Sequence, residues 1–167
     1  LDFPASPVQG QQATLTNGVI ASTVLAEQYK EDWRKSGMIH SGIYNSTSNV
    51  NNLNQFIQAE KITKDVNPTY GSIQALHTRD TNIVVMCEDK ILKCLAEKDA
   101  LFNADGNKNV AVSSNFLGSI STFAGGYGIS KNPESLAVDS SGRLYFSDVS
   151  RGAVLRLSAD GITNISD

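Results

Sequence analysis

The spacing of hydrophobic and polar positions changes near residue 37. From Gly37 onward, short alternating or β-branched runs are separated by clusters of Gly, Asn, Asp, Ser and Pro, the rhythm of strands and turns. It predicts strands at Met38–Tyr44, Ile73–His77, Asn82–Cys87, Ile91–Ala96, Glu134–Asp139, Arg143–Phe146 and Ala153–Leu157. The Asn-rich TSNVNNLNQF (47–56) is too polar for a core strand and is read as a long, turn-rich loop.

Before Gly37 the pattern differs. Residues 1–18 carry glycine and proline breakers and a Gln/Thr/Asn-rich run ending in the turn dipeptide Asn17-Gly18, so they are read as a linker or loop. In VIASTVLAEQYKEDWRK (19–35), Leu25, Tyr29 and Trp33 recur at helical spacing, while the β-branched run ahead of them reads as strand. Helix and strand both stay open there, and the stripe is read as core packing. Residues 19–167 are taken together as one β-propeller-like segment.

An internal repeat is the most informative feature. QALHTRDTNIVVMCEDKILKCLAEKDAL (Gln74–Leu101) can be laid on SLAVDSSGRLYFSDVSRGAVLRLSADGI (Ser135–Ile162) with one gap of two residues. The repeat units span about 73–101 and 134–162. Each holds an apolar strand, a turn (Thr78–Thr81 or Asp139–Gly142), a second apolar strand, a further turn and a third strand. Short antiparallel strands repeated in this way are how propeller blades look in sequence. In the second copy, Leu144 and Phe146 are predicted to face one side of the sheet and Arg143 and Tyr145 the other. Gly142 supplies a position tolerant of positive φ, and Asp148 is expected to accept backbone hydrogen bonds in the turn that follows. The expected fold class is all-β, mainly antiparallel, with propeller-like blades, a partial propeller being one form it can take, and little helix.

Composition narrows the functional classes. The 167 residues, 40% hydrophobic, suffice for one core or a few blades. With no initiator Met and a strand pattern that runs to the end, the chain is expected to be a piece of a larger protein. No run approaches the roughly 18 apolar residues of a membrane span, and LDFPASPVQGQQ lacks the basic and apolar regions of a signal peptide. Fourteen Lys+Arg against 17 Asp+Glu, without like-charge clusters, leave no basic footprint for sequence-specific nucleic-acid binding.

Candidate chemistry is sparse. Cys87 and Cys94 are separated by a spacer that matches no zinc motif, and are read as ordinary thiols, with a cross-strand disulfide left open. Asp105, Asn107 and Asn109 open like a calcium loop, but Val110 stands where the turn glycine belongs and Phe116 where the bidentate Glu belongs, so a polar turn is preferred. Gly125-Gly126-Tyr127-Gly128 lacks the Lys-Ser/Thr of a phosphate loop and is read as a crossing between blades. His40 and His77 have no metal-spaced partner, and Asp139, Asp148 and Asp160 are read as turn-forming carboxylates. No Gly-x-Ser-x-Gly elbow marks a nucleophile. No catalytic, cofactor-binding or metal-ligating residue is therefore assigned, and the expectation is a non-enzymatic protein with no cofactor. Two alternatives stay open: a stand-alone binding propeller and a calcium-dependent propeller hydrolase.

PESLAVDSSGRLYFSDVSRGAVLRLSADG (133–161) looks like a blade of the NHL or YWTD propeller type. Longer phrases, SGIYNSTSNVNNLNQF (41–56), ITKDVNPTYGSIQALHTRDTNIVV (62–85), CEDKILKCLAEKDALFNADGN (87–107), YGISKNPES (127–135) and SRGAVLRLSADGITNISD (150–167), resemble the tail-hub or stabilisation proteins of crAss-like and other tailed bacteriophages. The resemblance covers roughly Gly37–Asp167, and GISKNPES and RGAVLRLSADG are its most specific parts. It implies a virion component, made in the host bacterial cytoplasm, that assembles symmetrically below the portal and helps retain packaged DNA. It also implies other virion proteins (portal, adaptor or tail proteins) and further copies of itself as partners. The family's usual members are several times longer, so their portal-contacting parts are expected to lie outside this chain.

Overall fold

A computed structural model describes residues 31–42, 44–57, 59, 61–102 and 108–166. The chain divides into a unit at Leu1–Trp33 and a unit at Arg34–Asp167. The predicted linker 1–18, and Leu25 and Tyr29 of the helical stripe, lie outside the described residues. Trp33, the third member of that stripe, is 76% exposed, in a stretch without regular structure, which argues against core packing for its indole.

Among its described residues the second unit is mainly antiparallel β, with two short 3-10 turns. Two four-stranded sheets follow each other in sequence. The first is β5 (Ile73–Arg79), β6 (Asn82–Cys87), β7 (Ile91–Phe102) and β8 (Lys108–Thr122), paired in that order. The second is β9 (Ala137–Val138), β10 (Leu144–Asp148), β11 (Ala153–Ser158) and β12 (Gly161–Asn164), again paired in sequence order. Ahead of them, β1 (Gly37–Ile39) pairs with β4 (Thr63–Asp65), and β2 (Tyr44–Asn45) with β3 (Val50–Asn51). The two repeat copies found in the sequence coincide with β5–β7 and with β9 to the start of β12.

Tight turns set the registers. Asp80 and Thr81 join β5 to β6 across the Arg79↔Asn82 pair, and Asp80 has φ 52°, a left-handed value that Asp tolerates better than most residues. Asp139 and Gly142 close the β9–β10 turn: the Gly142 amide donates to Asp139 O (2.9 Å), the Asp139 amide to Arg143 O (2.9 Å), and Gly142 takes φ 76°.

Burial explains the hydrophobic pattern. Val84 and Met86 of β6 and Ile91 of β7 pack with Leu144, Phe146, Leu155 and Leu157 of the second sheet into one apolar cluster. The opposite face of the first sheet, Val85, Cys87, Leu92, Cys94 and Leu117, packs with Met38 and Val66 beside the β1–β4 pair. The first sheet is thus a middle layer, and β6 reads as the continuous run IVVMC because both of its faces are covered. The second sheet has one buried face, so Leu144, Phe146 and Asp148 alternate with the less buried Tyr145 and Ser147, as the sequence predicts.

Two predicted strands are cut short, one strand is missed and β7 runs past its predicted end at Ala96. Met38–Tyr44 is not continuous: β1 ends at Ile39, and Gly42 lies so near Asn52 that an added Cβ would sit 2.6 Å from its carbonyl oxygen. Glu134–Asp139 shrinks to Ala137–Val138 because Pro133–Ser135 form a 3-10 turn, with proline at its favoured first position. The long β8 is absent from the prediction, since Ser113, Ser114 and Asn115 interrupt its apolar pattern. Beyond Leu95, β7 has no β6 partner, and it continues with β8 as a two-stranded arm whose register shifts near Ala96. The Asn-rich loop is turn-rich, as expected: Asn45 Oδ1 accepts from the amides of Thr47 and Ser48, and Asn51 Oδ1 from that of Leu53.

Phe146 is 1% exposed at the centre of the inter-sheet cluster. Phe146→Ala is expected to cost about 3–5 kcal/mol by loss of burial and creation of a cavity. A denaturant titration checks this, and a loss below about 1 kcal/mol would place Phe146 outside the core.

Candidate functional site

The densest polar constellation joins the two large sheets. The chain leaves β8 at Thr122 and crosses to β9 through Gly125-Gly126-Tyr127-Gly128, the crossing expected from the glycines. The crossing segment lies against the β6–β7 turn: the Ile129 amide donates to Cys87 O (3.1 Å) and the Ser130 amide to Glu88 O (3.0 Å). At Gly128 an added Cβ would fall 2.1 Å from Glu88 O, a main-chain oxygen that a side chain at this position would have to displace. Lys90 Nζ donates to Gly125 O and ties down the start of the segment.

Asp148, the last residue of β10, sits beneath this crossing and is fully buried. Its Oδ2 accepts from the Gly128 amide (3.0 Å) and from Arg151 Nη1 (2.9 Å). Its Oδ1 accepts from Ser130 Oγ (2.7 Å) and from the Arg151 amide (3.2 Å), the turn bond anticipated from sequence. Burial alone would push this carboxyl up, but the Gly128 amide, the Ser130 hydroxyl and the Arg151 guanidinium together hold it below the usual carboxylate range. Ser130 takes φ 53°, unusual for a residue with a side chain, and its hydroxyl both donates to Asp148 and accepts from the Ser150 amide (3.1 Å). Arg151 then reaches back to the first sheet, with Nη2 3.2 Å from Asp89 Oδ1.

Four donors fill the roughly four acceptor positions of the Asp148 carboxylate. Such a group is committed to holding the fold and has no lone pair left for a substrate proton or a metal ion. Glu88 is engaged through one oxygen: Oε1 accepts from the amide and hydroxyl of Ser72, which hold its carboxyl below the ordinary range. Asp139 is exposed and accepts from Ser140 and Ser141, whose hydroxyl and amide donors lower its pKa. Asp160 lies in the exposed β11–β12 turn.

The other candidates are scattered. His40 donates through Nδ1 to Ser41 O (2.8 Å) and lies against the Phe116 ring, centroids 5.2 Å apart, whereas His77 is half-buried on β5. Asp105 and Asn107 of the calcium-like stretch lie outside the described residues, and Asn109 pairs with Leu101 in the β7–β8 arm. Among the described residues no three His, Cys, Asp or Glu side chains are grouped to hold a metal ion. Also among them, no helix is long and apolar enough to cross a membrane. Cys87 and Cys94 are free thiols, both in the cluster between the first sheet and the β1–β4 pair. Burial, reinforced by the Glu88 carboxylate, pushes Cys87 up to about 11, and burial raises Cys94 too. The sequence did not reveal Gly128, Ser130 or Arg151 as partners of Asp148. The only hint was the Ser-Asp ending of a strand followed by a turn.

Asp148 carries a pH signature. Because its pKa is lower folded than unfolded, its stabilisation is fully present above about pH 4 and is lost as pH falls through the folded value. Asp148→Asn is expected to cost about 3 kcal/mol at neutral pH, since an amide group would face donors with a donor, and to flatten the acid limb of stability. Urea titrations across the acid range measure both, and an unchanged acid limb would show that Asp148 does not carry it. Neither cysteine is expected to react with a thiol reagent at neutral pH until the chain unfolds, because thiolate is the reactive form. Rapid labelling of native protein, read by mass spectrometry, would contradict the burial of both. Comparison of the chain with protein-family models, with curated protein sequences and with solved structures finds no match in any of the three.

Proposed function

We propose that this chain is a non-enzymatic structural segment of a bacteriophage virion, of the tail-hub or stabilisation type, and that its two four-stranded sheets are consecutive blades of a propeller. The observation that carries the reading is the stacking of β5–β8 on β9–β12. Each sheet is a sequential four-stranded antiparallel meander, the two follow one another in the chain, and one apolar cluster fills the space between their faces. Radially repeated propeller blades have this connectivity and this face-to-face contact.

The Asp148 constellation fits the same reading. It fixes one blade to the next at the crossing segment, and it spends its carboxylate on doing so. The outer face of β9–β12, where Val154 is 44% and Ile165 45% exposed, is the face on which the next blade of a longer parent would pack. The phrases GISKNPES (128–135) and RGAVLRLSADG (151–161), which carry the resemblance to phage proteins, fall on the crossing and on β11 with its flanking turns. In this role the chain meets portal, adaptor or tail proteins and further copies of itself below the portal, and it helps to retain packaged DNA.

Tryptic mass spectrometry of purified, DNA-filled particles of the source phage tests the proposal through the peptide Asn132–Arg143. Stoichiometric recovery is the expected result. Recovery only from the soluble lysate would overturn the virion role and favour a free-standing binding propeller or hydrolase.

A further inference from the structure

The strand ends remote from Asp148 hold a different arrangement. There the β5–β6 turn of the first sheet and the β11–β12 turn of the second flank two adjoining hollows of about 240 and 280 Å3, which share Arg79, Ser158 and Ala159. Each is several times the roughly 30 Å3 share of a water molecule. Arg79 and Lys93 line the first hollow, and Arg79, Arg143 and Arg156 the second. Two carboxylates, Asp80 and Asp160, share the walls. Four cations stand against Asp80 and Asp160 in the walls and Asp139 beside Arg143, which leaves this cleft a local excess of positive charge in a chain whose formal net charge is −3.

A second, independent feature lies in the same walls. Ser158 is only 8% exposed, and its Oγ has no hydrogen-bond partner within the protein. Nor has the buried Nε of Arg156. Buried polar atoms are ordinarily paired, and leaving one unpaired costs about 1–3 kcal/mol. The backbone carbonyl of Ser158 is already engaged by Arg79 Nη1 (3.1 Å), which fixes one guanidinium beside the orphaned hydroxyl. Arg143 keeps half of its side chain exposed, and its nearest carboxylate, Asp139, stands 4.0 Å away.

We propose that this cleft binds a phosphate-class oxyanion, taken up between Arg79, Arg143 and Arg156 with Ser158 Oγ as the inner donor. The chemistry is that of guanidinium forks and a hydroxyl converging on oxygens that can each accept several hydrogen bonds. Free inorganic phosphate and the phosphodiester of a nucleic-acid strand offer the same group. The proposal stands independently of the virion reading, since it rests on the cleft alone.

Isothermal titration of the full chain with inorganic phosphate, and separately with a short single-stranded oligonucleotide lacking terminal phosphates, distinguishes the two sources. Saturable binding in either arm is expected, and the arm that saturates at lower concentration names the source. Arg156→Gln and Ser158→Ala should each weaken that binding by about tenfold, which corresponds to about 1.4 kcal/mol. Arg143→Gln, at a half-exposed side chain, should weaken it while leaving the thermal midpoint unchanged, and so keeps the test sharp if either buried-site variant folds poorly. Lys131→Gln, outside the cleft, should bind as the parent does. Absence of saturation at millimolar concentrations in both arms, or binding that survives Arg143→Gln and Arg156→Gln undiminished, would overturn the site.

Discussion

The structure depends on one apolar contact, the face that β9–β12 presents to β5–β8. A four-stranded sheet with a single hydrophobic face has nowhere to hide it alone, and here Phe146, Leu144, Leu155 and Leu157 find their cover in Val84, Met86 and Ile91. The turns and polar links on either side serve that contact. At one set of strand ends the crossing segment is pinned to the β6–β7 turn, and at the other Arg79 of the first sheet donates to Ser158 O of the second. The two sheets are therefore held at both ends around a common interior.

Asp148 shows how a buried charge is made compatible with such an interior. Removing a carboxylate from water is costly unless its oxygens are fully engaged, and two backbone amides, a hydroxyl and a guanidinium engage them here. The donors come from two places: the crossing segment, through Gly128 and Ser130, and the β10–β11 turn, where Arg151 gives its amide and a guanidinium that also touches Asp89 of the β6–β7 turn. Chain topology, secondary structure and electrostatics thus meet at one residue. That convergence also stabilises the left-handed backbone of Ser130, whose hydroxyl is a member of the same network.

Much of the strand content was legible in the sequence, because its signal is local. LYFSD alternates since β10 has one covered face, and IVVMC does not since β6 has two. The β9–β10 turn was legible from Asp139 and Gly142, whose conformational preferences act within four residues. What escaped is non-local. β8 carries a polar stretch that only its pairing with β7 makes a strand. The Arg151–Asp89 contact joins residues 62 positions apart, and the basic cleft gathers Arg79 with arginines of the following sheet. The low overall charge concealed that cleft, since a balanced composition is compatible with a local excess of one sign.

The approach of Gly128 to Glu88 O is a contact between main chains, with no side chain of either residue taking part. The amides of Ile129 and Ser130 continue it against the carbonyls of Cys87 and Glu88. Mutational drift therefore acts very unevenly across this junction. The turn at 88–90 can trade a side chain at the loss of one polar link, Glu88 to Ser72, Asp89 to Arg151 or Lys90 to Gly125, while the main-chain spacing between the sheets is kept, whereas a side chain at position 128 would have to displace the Glu88 carbonyl itself.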